Sequence, residues 1–149
     1  MPDAHLASDT LLDSWLKLTS TLWNTRIVKS LTYNETHVMG ILLRHTDSEP
    51  LTATDLIRKT RLLKSQMNKL LTTLENRGLI TRSRSEIDKR LIHIHLTNPG
   101  KEAYLQEHKG VEEFLSVLVQ RLGPERALAI ANDLHDINDI LDDIIPIPK

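Results

Sequence analysis

Along most of the chain, apolar residues recur every three or four positions; in one stretch they recur every second position. Over residues 7–30, Leu11, Trp15, Leu18 and Leu22 form one stripe and Leu12, Leu16, Trp23 and Ile27 another, both at helical spacing. Two stripes are more than one face of a small domain covers, which points to a second chain as the cover. Thr32-Tyr33-Asn34-Glu35 is a capping box, in which the hydroxyl meets a backbone N–H three residues on and the glutamate reaches back. It predicts a helix with Val38, Ile41 and Leu42 inward, ending near Asp47, before Pro50 blocks continuation. Leu51 is predicted as a short strand. Thr52-Ala53-Thr54-Asp55 is a second capping signal, for a helix that buries Leu56 and Ile57. After a turn at Arg61-Leu62, a helix is predicted from Leu63 to Arg77. Its Met67, Leu70, Leu71 and Leu74 fall at i, i+3, i+4 and i+7, one inward face, and Gly78 stops it.

The period then changes. Leu79 to Ser83 reads as a strand and Ser85 to Lys89 as a turn. From Leu91 to Thr97, Ile92, Ile94 and Leu96 alternate with His93 and His95, the signature of a half-buried antiparallel strand. Asn98-Pro99 reads as an N-cap with proline at the first helical position, opening a helix with Leu105, Val111, Leu115, Leu118 and Leu122 that ends at Gly123-Pro124. The last helix, about Glu125 to Ile145, carries Ile130, Leu134, Ile137, Leu141 and Ile144 as a heptad-type seam. Asp133, Asp136, Asp139, Asp142 and Asp143 coat its other side. The predicted fold is mainly α (α+β), a winged helix-turn-helix with long N- and C-terminal dimerisation helices. One domain is expected over 1–149, with the winged-helix lobe at 32–100 and the dimerisation region at 7–30 and 98–146.

Charge sharpens this picture. Residues 51–101 hold 11 Lys/Arg against 4 Asp/Glu, net +7, while the rest holds 8 against 16, net −8. A compact basic module between acidic helices is the electrostatic footprint of a DNA-binding domain. With 3% aromatic residues the core must be built from Leu and Ile. The absence of cysteine removes thiolate catalysis, Cys-ligated zinc and cysteine redox sensing. No signal-peptide pattern and no membrane-length apolar run are visible, so a cytoplasmic protein without membrane contact is expected.

Opposite the inward face of the Leu63–Arg77 helix lie Ser65, Asn68, Lys69, Thr72 and Asn76, with Lys64 and Gln66 at its N-terminal end. Read as a face without a carboxylate, it offers donors suited to base edges and phosphates in a major groove. Thr54, in the preceding helix, is counted with them. On the hairpin, Arg82, Arg84, Lys89 and Arg90 suit a minor groove, whose narrow negative potential attracts guanidinium, and Asp88 is placed to orient Arg90 by a charge-assisted hydrogen bond. The plain alternatives are a solvated helix face and a solvated charged turn. The capped helix before and the hairpin after favour double-stranded DNA. His93 and His95 have a spacing that two metal ligands use, but His5, His37, His45, His108 and His135 supply no third at a convincing spacing. They read as surface histidines, with no metal or cofactor expected. No phosphate loop, nucleophile motif or carboxylate pair marks an enzyme.

These residues resemble the MarR (multiple antibiotic resistance regulator) family of bacterial transcription factors over nearly the whole chain. The resemblance is carried by Leu31-Thr32, Leu51-Thr52-Ala53-Thr54-Asp55-Leu56, Leu74-Glu75-Asn76-Arg77-Gly78-Leu79-Ile80, the wing Asp88-Lys89-Arg90 and Leu96-Thr97-Asn98-Pro99-Gly100. The wing followed by Leu-Thr-x-x-Gly is its specific part. It implies a triangular homodimer with interleaved terminal helices, a pseudo-palindromic operator and repression relieved by a small-molecule effector. By position it implies Ser65, Gln66, Asn68 and Lys69 as major-groove readers and Arg90, supported by Asp88, as the minor-groove arginine. Leu63-Lys64 departs from the small polar cap and proline common in the family, and the lack of cysteine departs from its peroxide-sensing branch. A winged-helix protein–protein module without sequence-specific DNA binding is the competing reading.

Overall fold

In a computed structural model describing residues 1, 3–25, 27 and 29–148 (for Trp23 only the helix backbone), eight elements follow one another. They are α1 (Ala4–Asn24), α2 (Tyr33–Arg44), α3 (Ala53–Thr60), α4 (Lys64–Asn76), β1 (Ile80–Arg84), β2 (Ile92–Leu96), α5 (Asn98–Leu122) and α6 (Pro124–Ile144). Local chemistry starts the lobe helices where the sequence predicts. Thr32 Oγ accepts from Glu35 N at 3.2 Å while Glu35 Oε2 accepts from Thr32 N at 2.9 Å. Thr52 and Asp55 repeat the arrangement at α3, so each box satisfies donors that a helix start leaves open.

The buried hydrophobic core is Leu31, Val38, Met39, Leu51, Leu56, Met67, Leu71, Leu74, Leu79, Ile80, Ile94 and Tyr104. Every member lies between residues 31 and 104. Met67, Leu71 and Leu74 of α4 are fully buried and Leu70 packs at their edge, which fixes the direction of the opposite face. β1 and β2 pair antiparallel in the register Ile80↔Leu96 through Arg84↔Ile92. The predicted strand at Leu51 shrinks to a single bridge, Thr52↔His93, with Ile94 N donating to the Leu51 carbonyl. The Thr52 cap turns the chain into α3 at once, leaving no further residue to pair.

Five expectations are corrected. The first helix ends at Asn24, not residue 30. The backbone N–H groups of Lys29 and Ser30 donate to the Glu107 carboxylate at 2.9 and 2.6 Å and are therefore unavailable to a helix, so Ile27 lies outside α1. Trp23 of the second stripe has a side chain outside the described residues. The second helix ends at Arg44, because His45 is already extended. The cap of α5 is Thr97, not Asn98. Thr97 Oγ accepts from Gly100 N at 3.0 Å and donates to the Gly78 carbonyl at 2.7 Å, a tertiary bond that fixes the cap at Thr97. Finally, β2 runs past the core: Ile94 is buried, yet Ile92 is 44% exposed. His93, expected at the surface, is half-buried with its Nε2 enclosed, since Thr52 bridges against it.

The terminal helices are tied to the lobe by polar contacts, partly buried at Glu107 and exposed at Arg61. Burial pushes the Glu107 carboxyl up, but hydrogen bonds from Ser30, Lys29 and Leu31 outweigh it and hold it below the ordinary glutamate range. A depressed carboxylate contributes stability above its unfolded-state value, and that contribution is lost as the pH falls through the folded one. The melting temperature of the wild type is expected to drop more steeply on acidification than that of Glu107→Gln, and parallel curves in a pH-melting series would refute this assignment. At the other end, Arg61 takes the left-handed conformation (φ 58°) that ends α3. Its Nε donates to Asp142 at 3.1 Å and its Nη1 to the Ile145 carbonyl at 2.6 Å, tying the α3–α4 turn to the end of α6.

Candidate nucleic-acid interface

Because its apolar face is consumed by the core, α4 presents Lys64, Ser65, Gln66, Asn68, Lys69 and Thr72 outward, all exposed. Thr54 is exposed on α3, and β1 of the hairpin packs beside α4. The exposed α4 face thus has α3 on one side and the first wing strand as a neighbour. Gln66, however, has a local task. Its Oε1 accepts from the Leu63 backbone N–H at 2.9 Å, replacing the missing small polar cap, so its amide NH2 is the group left to face a partner.

The wing is stiffened from within. Ser85 is buried, and its Oγ accepts from the backbone N–H groups of Ile87 and Asp88 at 3.3 and 3.2 Å. Arg84 Nη1 donates to the Lys89 carbonyl at 3.0 Å. Asp88 supports Arg90 by a route other than the expected one. Its Oδ1 accepts from the Arg90 backbone N–H at 3.0 Å, so it shapes the turn and does not grip the guanidinium. Arg90 and Lys89 stay exposed at the tip.

Two features escaped the sequence reading. The α4 face does carry a carboxylate: Glu75 sits seven residues from Asn68 and three from Thr72, hence on the same side of the helix. It is paired with Arg82, whose Nε donates to Glu75 Oε2 at 2.7 Å and whose Nη2 reaches Glu75 Oε1 at 3.3 Å and Thr72 Oγ at 3.4 Å. Arg82, expected to project toward DNA, instead folds onto α4. The hydrogen bond from Arg82 holds the Glu75 carboxyl below its ordinary range. Helical arithmetic alone locates Glu75; nothing local in the sequence pairs it with Arg82. Among the described residues, no group of three or more His, Asp or Glu converges as metal ligands would, and no helix is long and apolar enough to cross a membrane.

A second surface is apolar. Leu6, Leu11, Leu12, Trp15, Leu16 and Leu18 of α1 are exposed. So are Leu105, Phe114, Leu115, Val117 and Leu118 of α5, and Leu128, Ile130, Leu134, Ile140 and Ile144 of α6. Patches of this extent mark interaction surfaces.

Comparison with known proteins places this geometry in context. The sequence profile of the transcriptional regulator family SarA/Rot matches residues 25–106. The HTH-type transcriptional regulator FarR of Neisseria gonorrhoeae is 28% identical over 88 residues, which are 59% of this chain and 60% of FarR. The HTH-type transcriptional regulator YwhA of Bacillus subtilis (strain 168) is 27% identical over 117 residues, 78% of this chain and 82% of YwhA. The chain thus spans 60% of FarR and most of YwhA. Among solved structures, the S. aureus MepR–DNA complex superposes with a TM-score of 0.73 at 22% identity, over 86% of this chain and 97% of that one. The mainly helical winged-helix fold expected from the sequence is borne out.

Proposed function

The chain belongs to the SarA/Rot family of transcriptional regulators, a MarR-type winged-helix protein as its motifs suggested, and from that membership we propose a homodimeric DNA-binding repressor relieved by a small-molecule effector. The observation that carries the DNA reading is the donor-rich exposed face of α4 next to a stiffened basic wing. Ser65, Gln66, Asn68, Lys69 and Thr72 read or position on the major groove, with Lys64 and Thr54 on adjacent phosphates. Arg90, with Lys89 and Arg84 beside it, enters the minor groove, and Asp88 holds the turn that aims it. The homodimer reading rests on the exposed apolar faces of α1, α5 and α6, which a second copy covers. Two lobes on one duplex face set half-sites about 10 bp apart.

For the effector, a 340 Å³ cavity where α2 and β2 meet the start of α5, lined in part by Leu42, His45, Ile94 and Lys101, has the size of a small-ligand site. A ligand there that prefers lobes spaced wrongly for DNA lowers operator affinity by its differential affinity for that state. No catalytic step is assigned, and cytoplasmic residence follows from the role.

Selection from a random duplex pool with the full chain, followed by sequencing, tests the function. An enriched inverted repeat is expected; salt-sensitive binding with no motif would leave only a basic surface and favour the protein-partner alternative. On the recovered operator, Arg90→Ala is expected to weaken binding and lower the slope of log affinity against log salt by about one. Equal slopes for the two proteins would remove Arg90 from the phosphate-facing set.

A further inference from the structure

A carboxylate on a DNA-reading helix is an anomaly that the DNA-binding proposal above must absorb. Glu75 lies on the exposed side of α4, on the flank that carries Asn68 and Thr72, where phosphate repels an uncompensated negative charge. Arg82 reaches it from the neighbouring strand β1, with two nitrogens on its two oxygens at 2.7 and 3.3 Å. The same guanidinium donates to Thr72 Oγ at 3.4 Å. Adjacent Thr73 spends its hydroxyl hydrogen on the Lys69 carbonyl at 2.9 Å; Thr72, accepting from Arg82, keeps its hydrogen to donate outward.

We propose that Arg82 is a positioning residue rather than a DNA ligand: it cancels Glu75, locks the wing strand onto the recognition helix and sets Thr72 as a hydrogen-bond donor to DNA. Bidentate arginine–carboxylate geometry fixes orientation as well as charge, so the wing and α4 approach the duplex as one body. Three of the five guanidinium N–H donors are spent inside the protein, and a phosphate competing for them would leave Glu75 uncompensated on the same face. Nothing about the pair is required by the core, since both side chains are partly exposed and contact no buried hydrophobic group in these bonds.

The inference rests on the DNA-binding reading, and its test keeps the two apart. Affinities for the selected operator are compared for the full-length wild type, Arg82→Gln, Glu75→Gln and the double variant, with melting temperatures recorded for each. Arg82→Gln is expected to weaken binding roughly tenfold, the scale of coupling between contacting charged residues, with little change in melting. Glu75→Gln weakens the lock and is expected to lower wild-type affinity a few-fold, yet in the Arg82→Gln background, where no lock remains and the bare carboxylate is removed, to raise affinity and recover part of the loss. Arg82→Lys, which keeps the charge and loses the fork, is expected to fall between. If Glu75→Gln changes affinity by the same factor in both backgrounds, Arg82 acts independently of Glu75 and the proposal is overturned. If the wild type itself enriches no operator, the DNA-binding reading fails before this question arises.

Discussion

Gly100→Ala is expected to lower the melting temperature by roughly 10 °C. In an open helix the same substitution stabilises by about 0.5–1 kcal/mol, so the sign itself is informative. A Cβ built on Gly100 would lie 2.0 Å from the Leu79 carbonyl oxygen and 2.9 Å from both the Leu79 carbonyl carbon and Leu96 Cδ1. Backbone cannot yield as a side-chain tip does. The Leu79 carbonyl also accepts from Thr97 N, and Thr97 Oγ donates to Gly78 O. Moving that segment therefore disturbs the junction of α4, β1 and α5 at once. Overpacking of this kind costs about 3 kcal/mol, which in a chain of this size corresponds to the stated shift. Gly110, on the same helix, is the internal control: a Cβ there meets nothing within 4 Å, and Gly110→Ala is expected to raise the melting temperature slightly. Calorimetry on the pair decides the matter. Two variants shifting in the same direction would mean that the close approach at Gly100 has no energetic weight.

The second large effect concerns the proposed dimer interface. Ile130 and Leu134 are 39% and 46% exposed on the α6 seam, and burying each against a partner is worth about 1.5–3 kcal/mol. Ile130→Asp with Leu134→Asp places two charges in that seam. The variant is expected to be monomeric and to keep its lobe folded, because no α6 residue belongs to the core. Operator affinity should fall by roughly a hundredfold or more, since the second lobe no longer binds at high effective concentration. Sedimentation reads the mass, far-UV circular dichroism the fold and titration the affinity. A monomeric variant that holds the operator as tightly as the wild type would show that one lobe suffices; an intact dimer would move the interface away from α6.

How much was legible in the sequence depends on the range of the interactions involved. Thr32 with Glu35, Thr52 with Asp55, the i, i+3, i+4, i+7 face of α4 and the alternation ending in Ile94 are contacts or periods within a few residues. For these the chain itself supplies both partners. The reading of the wing followed by Leu-Thr-x-x-Gly also belongs here, although its physical reason, the seat of Gly100 under Leu79, appears only when the strands are in place. The amphipathic stripes of α1, α5 and α6 are likewise periods of the chain itself, and many of their apolar residues are exposed in the fold.

Where two local solutions compete, a distant group decides. Thr97 and Asn98 are both capping residues, and the Gly78 carbonyl selected Thr97. Ile27 continues a helical stripe, yet Glu107, 77 positions beyond Ser30, takes the N–H groups of Lys29 and Ser30. Gln66 looked like a reader and gave its carbonyl to the helix start. Arg82 looked like a projecting wing cation and folded onto Glu75. Charge, period and cap residues on their own determined a basic winged lobe between amphipathic helices. Which polar side chains remain available to DNA was decided by tertiary contacts, because a donor or acceptor satisfied within the protein is no longer offered outside it, and its partner lies where only the folded chain brings it.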